Sequence, residues 1–599
     1  VSTEERSYQM EQGAASRPPT GRPVVHATRG VISSGHYLTS MAGMRMLMAG
    51  GNAFDAMVAA TFAATVIEPI ASYSLGAESV FMLYDKASGD LKSVSGQGVA
   101  PAKATIEFYR GLGLEEIPTG PGMQAQLSFT VPGVAHALVS ILDKYGSMSL
   151  VDVLAPTIEY AEDGIPNYEY MIDALDSDTT RDQFDNYPPG GWDVFFDGRE
   201  LPSPGSILKQ SALGAVLRAM AEAEQAATGD RSARLAAGRD VFYRGAVADR
   251  IIECVNASGG VLSKDDLSAY SSSTETPLST TFAGHEIHAQ GTWTQGAVLL
   301  QTLNILERFD LAAMGHNSPQ YIHTVVEALK LTLADREAYY GDPDFSDIPV
   351  ERLLSKGYAA ERAVLVDLNF PHPNTPAPGL GGPELPANAG SDGPAGPDQR
   401  EHGHSATDGT THIAVQDAEG NMACSTPSGG SFAKSVFFPE VGFALSTRIE
   451  MFNFEEGHPN ALAPGKRPRT TLVNYLATKD GVPVMTFGCP GGDHQAQANL
   501  QLILNTFVFG MNPQEAIEAA RFATDSVPNS FYPHVYLPGQ LSAEDGVSQD
   551  TVYDLKVMGH KVVRATVCGM GATITRRDTV TGVMSAGADP RRACYAIGW

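Results

Sequence analysis

The sequence lacks the features that would place it in several familiar classes. Its five cysteines (Cys254, Cys424, Cys489, Cys568 and Cys594) are odd in number, far apart and without a C-x-x-C pair. That argues against a disulfide framework or a thiolate zinc site, and the usage leans towards the cytoplasm. Long apolar runs are missing too. The longest, residues 56–67, is too short to span a bilayer. Residues 1–19 are polar and hold no signal-peptide core. The chain begins with Val1, so a leader already removed would instead make it periplasmic or secreted. Basic residues are scarce: 41 Lys and Arg stand against 68 Asp and Glu, a formal net charge of -27. Nucleic acid and anionic membranes are therefore not expected as partners.

Several catalytic signatures are also missing. There is no G-x-S-x-G elbow, no G-x-x-x-x-G-K-[ST] loop and no H-E-x-x-H. His285-Glu286-Ile287-His288 has the wrong spacing for the helical zinc motif. His402, His404 and His412 read as loop and strand histidines rather than ligands, so neither a metal nor an organic cofactor is expected.

What is present is a globular composition, 43% hydrophobic and 18% charged. Residues 1–24 read as a mobile polar arm. A helical pattern over 37–48 stops at Gly50-Gly51-Asn52, where glycine tolerates positive φ. An Ala-rich helix over 54–67 closes at Pro69, and 80–84 reads as a strand. Helices are expected over 135–144 and 319–339. This order indicates a layered α/β (α+β) fold. The composition breaks at 371–409, a stretch rich in Pro and Gly that has too few apolar residues to pack a core. Beyond it the pattern turns to short strands (411–415, 422–425, 472–478, 483–487), helices (495–509, 513–521) and further strands (572–576, 582–585). The division is thus 1–24 arm, 25–370 large region, 371–409 flexible segment and 410–599 small region.

Two short segments carry chemistry. At Asp408-Gly409-Thr410-Thr411-His412 the flexible stretch ends and a strand begins with two hydroxyls. An internal Thr410 can attack the Gly409 carbonyl, shifting the chain to an ester that water cleaves, and glycine permits the strained geometry. The freed α-amine, with a reference pKa of about 8, can then act as base for its own hydroxyl. Thr-Thr at a strand start is equally ordinary β-propensity. Gly488-Cys489-Pro490-Gly491-Gly492-Asp493 joins a strand to a helix, and bare N–H groups there suit an oxyanion. A plain tight turn fits the same pattern.

Together with Gly50-Gly51-Asn52-Ala53-Phe54-Asp55-Ala56, Glu68-Pro69, Val131-Pro132-Gly133, Ala334-Asp335-Arg336, Gly341-Asp342-Pro343, Lys466-Arg467-Pro468 and Asp589-Pro590-Arg591, these segments resemble the γ-glutamyltransferase family of N-terminal-nucleophile (Ntn) hydrolases. The resemblance runs from about residue 24 to the end. It implies a four-layer αββα sandwich built jointly by two fragments, about 1–409 and 410–599, after cleavage between Gly409 and Thr410. It implies Thr410 as nucleophile, Ser428 as the hydroxyl supporting its amine, and Gly491 and Gly492 as the oxyanion pair. Thr470 and Thr471 fall on a Ser-Ser pair that binds the substrate carboxylate.

The departures fall in the glutamate-binding pocket. Gln97, in Gln97-Gly98-Val99-Ala100-Pro101, stands where the family has a carboxylate-binding Arg. Met451 stands at the ammonium-binding acid with Glu450 one residue earlier, Gly430 replaces an Asn, and Arg448 adds a positive charge. Losing a bidentate arginine weakens the grip on a zwitterionic γ-glutamyl group. The expectation is an autoprocessed amidase acting on a small-molecule amide, with an acyl group that is neutral or singly negative. Its two fragments would form a heterodimer, with pairing of such heterodimers left open. A true γ-glutamyltransferase or glutathione hydrolase and an uncleaved ligand-binding homologue are the rivals.

Overall fold

The computed structural model describes residues 20–120, 122–382 and 409–599. Two antiparallel seven-stranded sheets lie face to face. The first runs Tyr595–Gly598, Gly30–Ser34, Ile413–Asp417, Met422–Ser428, Glu78–Asp85, Asp90–Gly96, Ser273–Glu275. The second runs Val25–Ala27, Met584–Ala588, Thr573–Arg577, Val482–Gly488, Tyr475–Lys479, His285–Ala289, Leu278–Phe282. Met82, Tyr84, Ala414, Met422, Cys424 and Leu476 pack between the sheets.

Helices cover the outer faces. Ala53–Ile67 lies on the first sheet with every residue buried. That explains its near-continuous apolar sequence, since a helix buried all round has no polar face. Its start is fixed by an Asn52/Asp55 capping box, and Asp417 accepts the Ala53 N–H at 2.9 Å. Gly50, at φ +92°, ends the preceding helix Tyr37–Met48. Gly296–Leu306, Pro319–Tyr339 and His494–Phe507 cover the second sheet around a separate core. The result is the α+β, four-layer αββα sandwich.

Several boundaries differ from the sequence reading. The strand expected from 411 starts at Ile413, and that expected from 472 starts at Tyr475, because Thr470 N–H is drawn aside to the Trp293 carbonyl at 2.9 Å. Residues 20–24, read as the end of a mobile arm, are held: Gly21 and Arg22 N–H donate to the Glu518 carboxylate at 2.5 and 3.1 Å. Residues 371–382, read as flexible, are also docked. Lys330 Nζ donates to the His372 carbonyl at 2.8 Å, Thr375 N–H to Tyr536 Oη at 3.0 Å and Gly379 N–H to Asp335 at 2.8 Å. A stretch poor in apolar side chains can still be fixed by its backbone polar groups. The expectations for 1–19 and 383–408, His402 and His404 included, lie outside the described residues. Among the described residues no helix is long and apolar enough to cross a membrane.

Candidate active site

Strand register assembles the site. Ile413–Asp417 pairs antiparallel with Met422–Ser428 so that Ile413 faces Ser425. Carrying that register back three residues puts Thr410 opposite Ser428. A hydrogen bond from Thr411 N–H to the Pro427 carbonyl, 3.1 Å, holds this approach. On the other side Ser428 pairs with Glu78. Three neighbouring chain segments thus bring a threonine, a serine and a glutamate to one end of the first sheet.

Thr410 Oγ1 lies 2.5 Å from the Gly409 carbonyl oxygen and 3.1 Å from Ser428 Oγ, and Ser428 Oγ lies 3.1 Å from the same carbonyl. Arg592 donates to the Thr410 carbonyl. Gly409 has no room for a side chain: a Cβ there would sit closer than 3.0 Å to Ser72 Oγ and the Ala71 carbonyl carbon. Arg448 Nη2 donates to Ser428 Oγ at 2.8 Å while its Nε donates to Glu78 Oε1 at 2.9 Å.

The Gly491-Gly492 turn links strand Val482–Gly488 to helix His494–Phe507, with φ of +127° and +52°. Those angles favour glycine. Among the described residues neither glycine's N–H is taken by a hydrogen bond. Gln295 Nε2 donates to both the Gly492 and Thr471 carbonyls at 2.9 Å. Asp493 is gripped by buried Arg336 and by the Ser530 N–H and hydroxyl, each at 2.7 Å. This sets Phe531 against Gly492.

Gly409, Ser428, Arg448, Glu450 and Gly492 line one small cavity open to solvent, together with Ser72, Lys434 and Phe531, while Thr410 is buried and not part of its lining. Lys434 Nζ and the Arg448 guanidinium lie 4.7 and 5.0 Å from the Phe531 ring centroid. Glu450 Oε2 is 3.8 Å from Lys434 Nζ and makes no hydrogen bond.

The other sequence-derived residues stand one layer back. Gln97 is buried behind Glu78, and neither of its amide atoms makes a well-formed hydrogen bond. Thr470 and Thr471 are buried beside the Gly492 turn; Thr470 Oγ1 accepts the Leu472 N–H at 3.3 Å, and Thr471 Oγ1 has no partner. Met451 Sδ lies 3.7 Å from Arg448 Nη1. Glu78, Phe531, Lys434 and Arg592 were missed from the sequence. Only Glu78 carried a signal, as a lone acid opening an apolar run.

Burial pushes the Glu78 carboxyl up to about 7 even though Arg448 holds it down. His412 is pushed down to about 3 by burial and stays neutral. Its Nδ1 bonds Thr573 Oγ1 at 2.6 Å, and its ring packs where a Gly488 side chain would be. It therefore braces the sheet from a wholly buried position. Among the described residues, His323, Glu327 and His560 are near enough to share an ion. However, Glu327 is taken by Lys330 Nζ at 2.7 Å and His372 N–H at 2.9 Å, while His323 bonds His560 at 2.8 Å. Glu327 is thus already paired with an ammonium.

The family model described as gamma-glutamyltranspeptidase matches residues 39–599. The chain is 31% identical to the glutathione hydrolase-like YwrD proenzyme of Bacillus subtilis (strain 168), over 96% of this chain and 99% of the relative. It is 31% identical to the acylase ACY 1 proenzyme of Pseudomonas sp. (strain SE83), over 94% and 93%. Among solved structures, cephalosporin acylase from Bacillus halodurans superposes with a TM-score of 0.80 at 29% identity, covering 97% of this chain and 98% of that one.

Proposed function

The chain belongs to the γ-glutamyltranspeptidase family of amide-bond hydrolases, and from that membership we propose that it is a self-processing Ntn amidohydrolase with Thr410 as nucleophile. The observation that carries the proposal is the convergence of the Thr410 hydroxyl, the Ser428 hydroxyl and the Gly409 carbonyl within 2.5–3.1 Å. Thr410 Oγ1 attacks the Gly409 carbonyl carbon, the peptide becomes an ester, and water releases the large fragment. The new Thr410 α-amine then takes the hydroxyl proton as Oγ1 attacks a substrate amide. The Gly491 and Gly492 N–H groups stabilise the tetrahedral oxyanion; one such donor is typically worth about 2.7–4 kcal/mol. The amine leaving group takes back the proton, and water cleaves the acyl ester. Both sheets draw strands from both sides of residue 409, so the fragments remain one heterodimer.

For the acyl group we favour a short chain ending in one negative charge. Gln97 offers no cation, whereas Lys434 and Arg448 face the cavity beside an aromatic ring. The relatives named acylase fit an acyl amide as the substrate class. γ-Glutamyl turnover is the second reading, favoured by the unbonded Glu450 Oε2 in the cavity, a ready partner for an α-ammonium.

Two measurements test this. A denaturing gel of purified protein is expected to show fragments of about 43 and about 20 kDa, by length from the whole chain; a single band would favour an uncleaved ligand-binding homologue. Glutaryl-p-nitroanilide is expected to turn over faster than γ-glutamyl-p-nitroanilide, and the reverse order would establish the second reading.

A further inference from the structure

The cavity's arginine is not a free cation. Arg448 stands on the short turn Arg448–Met451 and is buried. Its Nε donates to Glu78 Oε1 at 2.9 Å and its Nη2 to Ser428 Oγ at 2.8 Å. Glu78 is wholly buried at the start of strand Glu78–Asp85, directly across the register from Ser428. Its second oxygen accepts the Gly98 N–H at 3.2 Å, with Ser446 Oγ at 3.5 Å. Burying an ion pair is often no better for stability than an apolar pair of the same volume. A pair placed one hydroxyl away from the nucleophile therefore calls for an explanation in the chemistry.

We infer that Glu78 is a positioning residue, which through the Arg448 guanidinium fixes the direction of the Ser428 hydroxyl and so the place of the Thr410 hydroxyl. A hydroxyl has one proton to donate and two lone pairs to accept, and Ser428 has three partners. Arg448 can only donate, so it takes one lone pair. Thr410 Oγ1, at 3.1 Å, takes the other. The Ser428 proton is left to point at the Gly409 carbonyl, also 3.1 Å away, where it polarises the bond to be cleaved. After cleavage the same arrangement holds Ser428 against the freed Thr410. The guanidinium's charge makes the Ser428 hydroxyl a stronger donor. None of this requires Arg448 to touch substrate, which leaves Lys434, held only loosely by Glu450 at 3.8 Å, as the cavity's cation for an acyl carboxylate.

The relay has a pH dependence. The titratable groups facing Glu78 are Arg448 and the phenol of Tyr270, whose own ionisation Glu78 and burial oppose. Gln97, Gly98 N–H and Ser446 face it as neutral groups. With its carboxyl pushed up to about 7, Glu78 is ionised above that pH and accepts from both Arg448 and Gly98. Below it, the carboxyl loses its charge and holds the Arg448 guanidinium less firmly whichever oxygen carries the proton, so the Ser428 hydroxyl is less firmly directed. Activity should fall with acid through two ionisations, that of Glu78 and that of the Thr410 amine.

This inference rests on the Thr410 reading, and the test separates the two. Wild-type protein and E78Q are compared by self-cleavage rate, kcat, KM and the pH profile of kcat, with thermal melting to verify folding. Glutamine keeps the shape but offers only one acceptor oxygen. The expected result is a loss of about 10- to 100-fold in kcat, as for a lost charge-assisted hydrogen bond, with KM within about threefold because Lys434 is untouched. The acid limb of log kcat should drop from a slope near two to a slope near one. R448K provides a second route should E78Q not fold: a lysine can pair with Glu78 but lacks the second arm to Ser428, so kcat should fall while KM holds. Overturning results are a folded E78Q with unchanged kcat and acid limb, or an R448K that raises KM and spares kcat, which would make Arg448 a substrate ligand. A wild-type protein giving one band and no acyl-Thr410 mass would overturn the Thr410 reading and this inference with it, before any variant is made.

Discussion

Gly409→Ala is the sharpest perturbation of the proposed self-cleavage, because it adds one methyl group at the bond proposed to be cut and leaves no trace in residues 410–599. The new Cβ would lie closer than 3.0 Å to both Ser72 Oγ and the Ala71 carbonyl carbon. Ordinary carbon contacts need roughly 3.5–4.0 Å, so something must move by about 1 Å. Ser72 cannot retreat easily. It already holds a left-handed φ of +53°, and its carbonyl accepts the Gly430 N–H at 2.5 Å. The Gly409 carbonyl is therefore the part that moves, away from a Thr410 hydroxyl now 2.5 Å from its oxygen. A 1 Å misplacement of reacting atoms can cost about 100-fold in rate. The overpacking should cost about 1–3 kcal/mol of precursor stability. The assay is a time course of intact mass and denaturing gel on freshly purified precursor. Cleavage should slow by about 100-fold, while whatever fraction does cleave shows wild-type kcat. Wild-type cleavage kinetics in Gly409→Ala would refute the steric argument. A cleaved fraction with impaired kcat would refute the view that residue 409 serves only processing.

Three further outcomes follow from the same geometry. Gly492→Ala places a side chain at φ +52° and 3.1 Å from the Phe531 ring; the turn should shift, with kcat falling about 100-fold and KM much less affected, measurable by steady-state kinetics. Arg336→Met leaves the buried Asp493 charge without its guanidinium, a change expected to cost about 3–5 kcal/mol, read in urea unfolding, and to lower kcat by loosening the oxyanion turn. Lys434→Met should raise KM for a glutaryl amide by about tenfold and leave a neutral acyl amide unaffected; equal KM changes for both would remove Lys434 from acyl recognition.

Features carried by local chemistry were legible in the sequence. The helix stop at Gly50-Gly51-Asn52 and the Gly491-Gly492 turn each depend on what glycine does within a few residues, and the proposed Gly409–Thr410 cut was read from the same kind of local chemistry. Residues whose roles depend on register were not. Glu78 and Ser428 are 350 positions apart in sequence, and only strand pairing makes them neighbours. Phe531 and Lys434 come from loops without periodicity, so nothing local marks them. Arg448 was visible as a charge near the pocket, but its direction was not: a sequence cannot show that both arms of a guanidinium are already occupied. The docking of 371–382 was missed for a related reason, since its anchors are backbone groups meeting distant side chains.

The layout of the sheets is compatible with the proposed cut, because the pairings around residue 409 do not depend on its covalent link. In the first sheet, strands Ile413–Asp417 and Met422–Ser428 lie between Gly30–Ser34 and Glu78–Asp85. In the second, Tyr475–Lys479 pairs with His285–Ala289, and Met584–Ala588 with Val25–Ala27. Cutting after Gly409 removes one covalent link and none of these pairings. The strand beginning at Ile413 starts three residues beyond Thr410, so a terminus created there would be free to ionise without giving up a ladder hydrogen bond. The arrangement that sets the Thr410 hydroxyl beside the Gly409 carbonyl would thus, on the proposed cut, keep both fragments joined through the same two sheets.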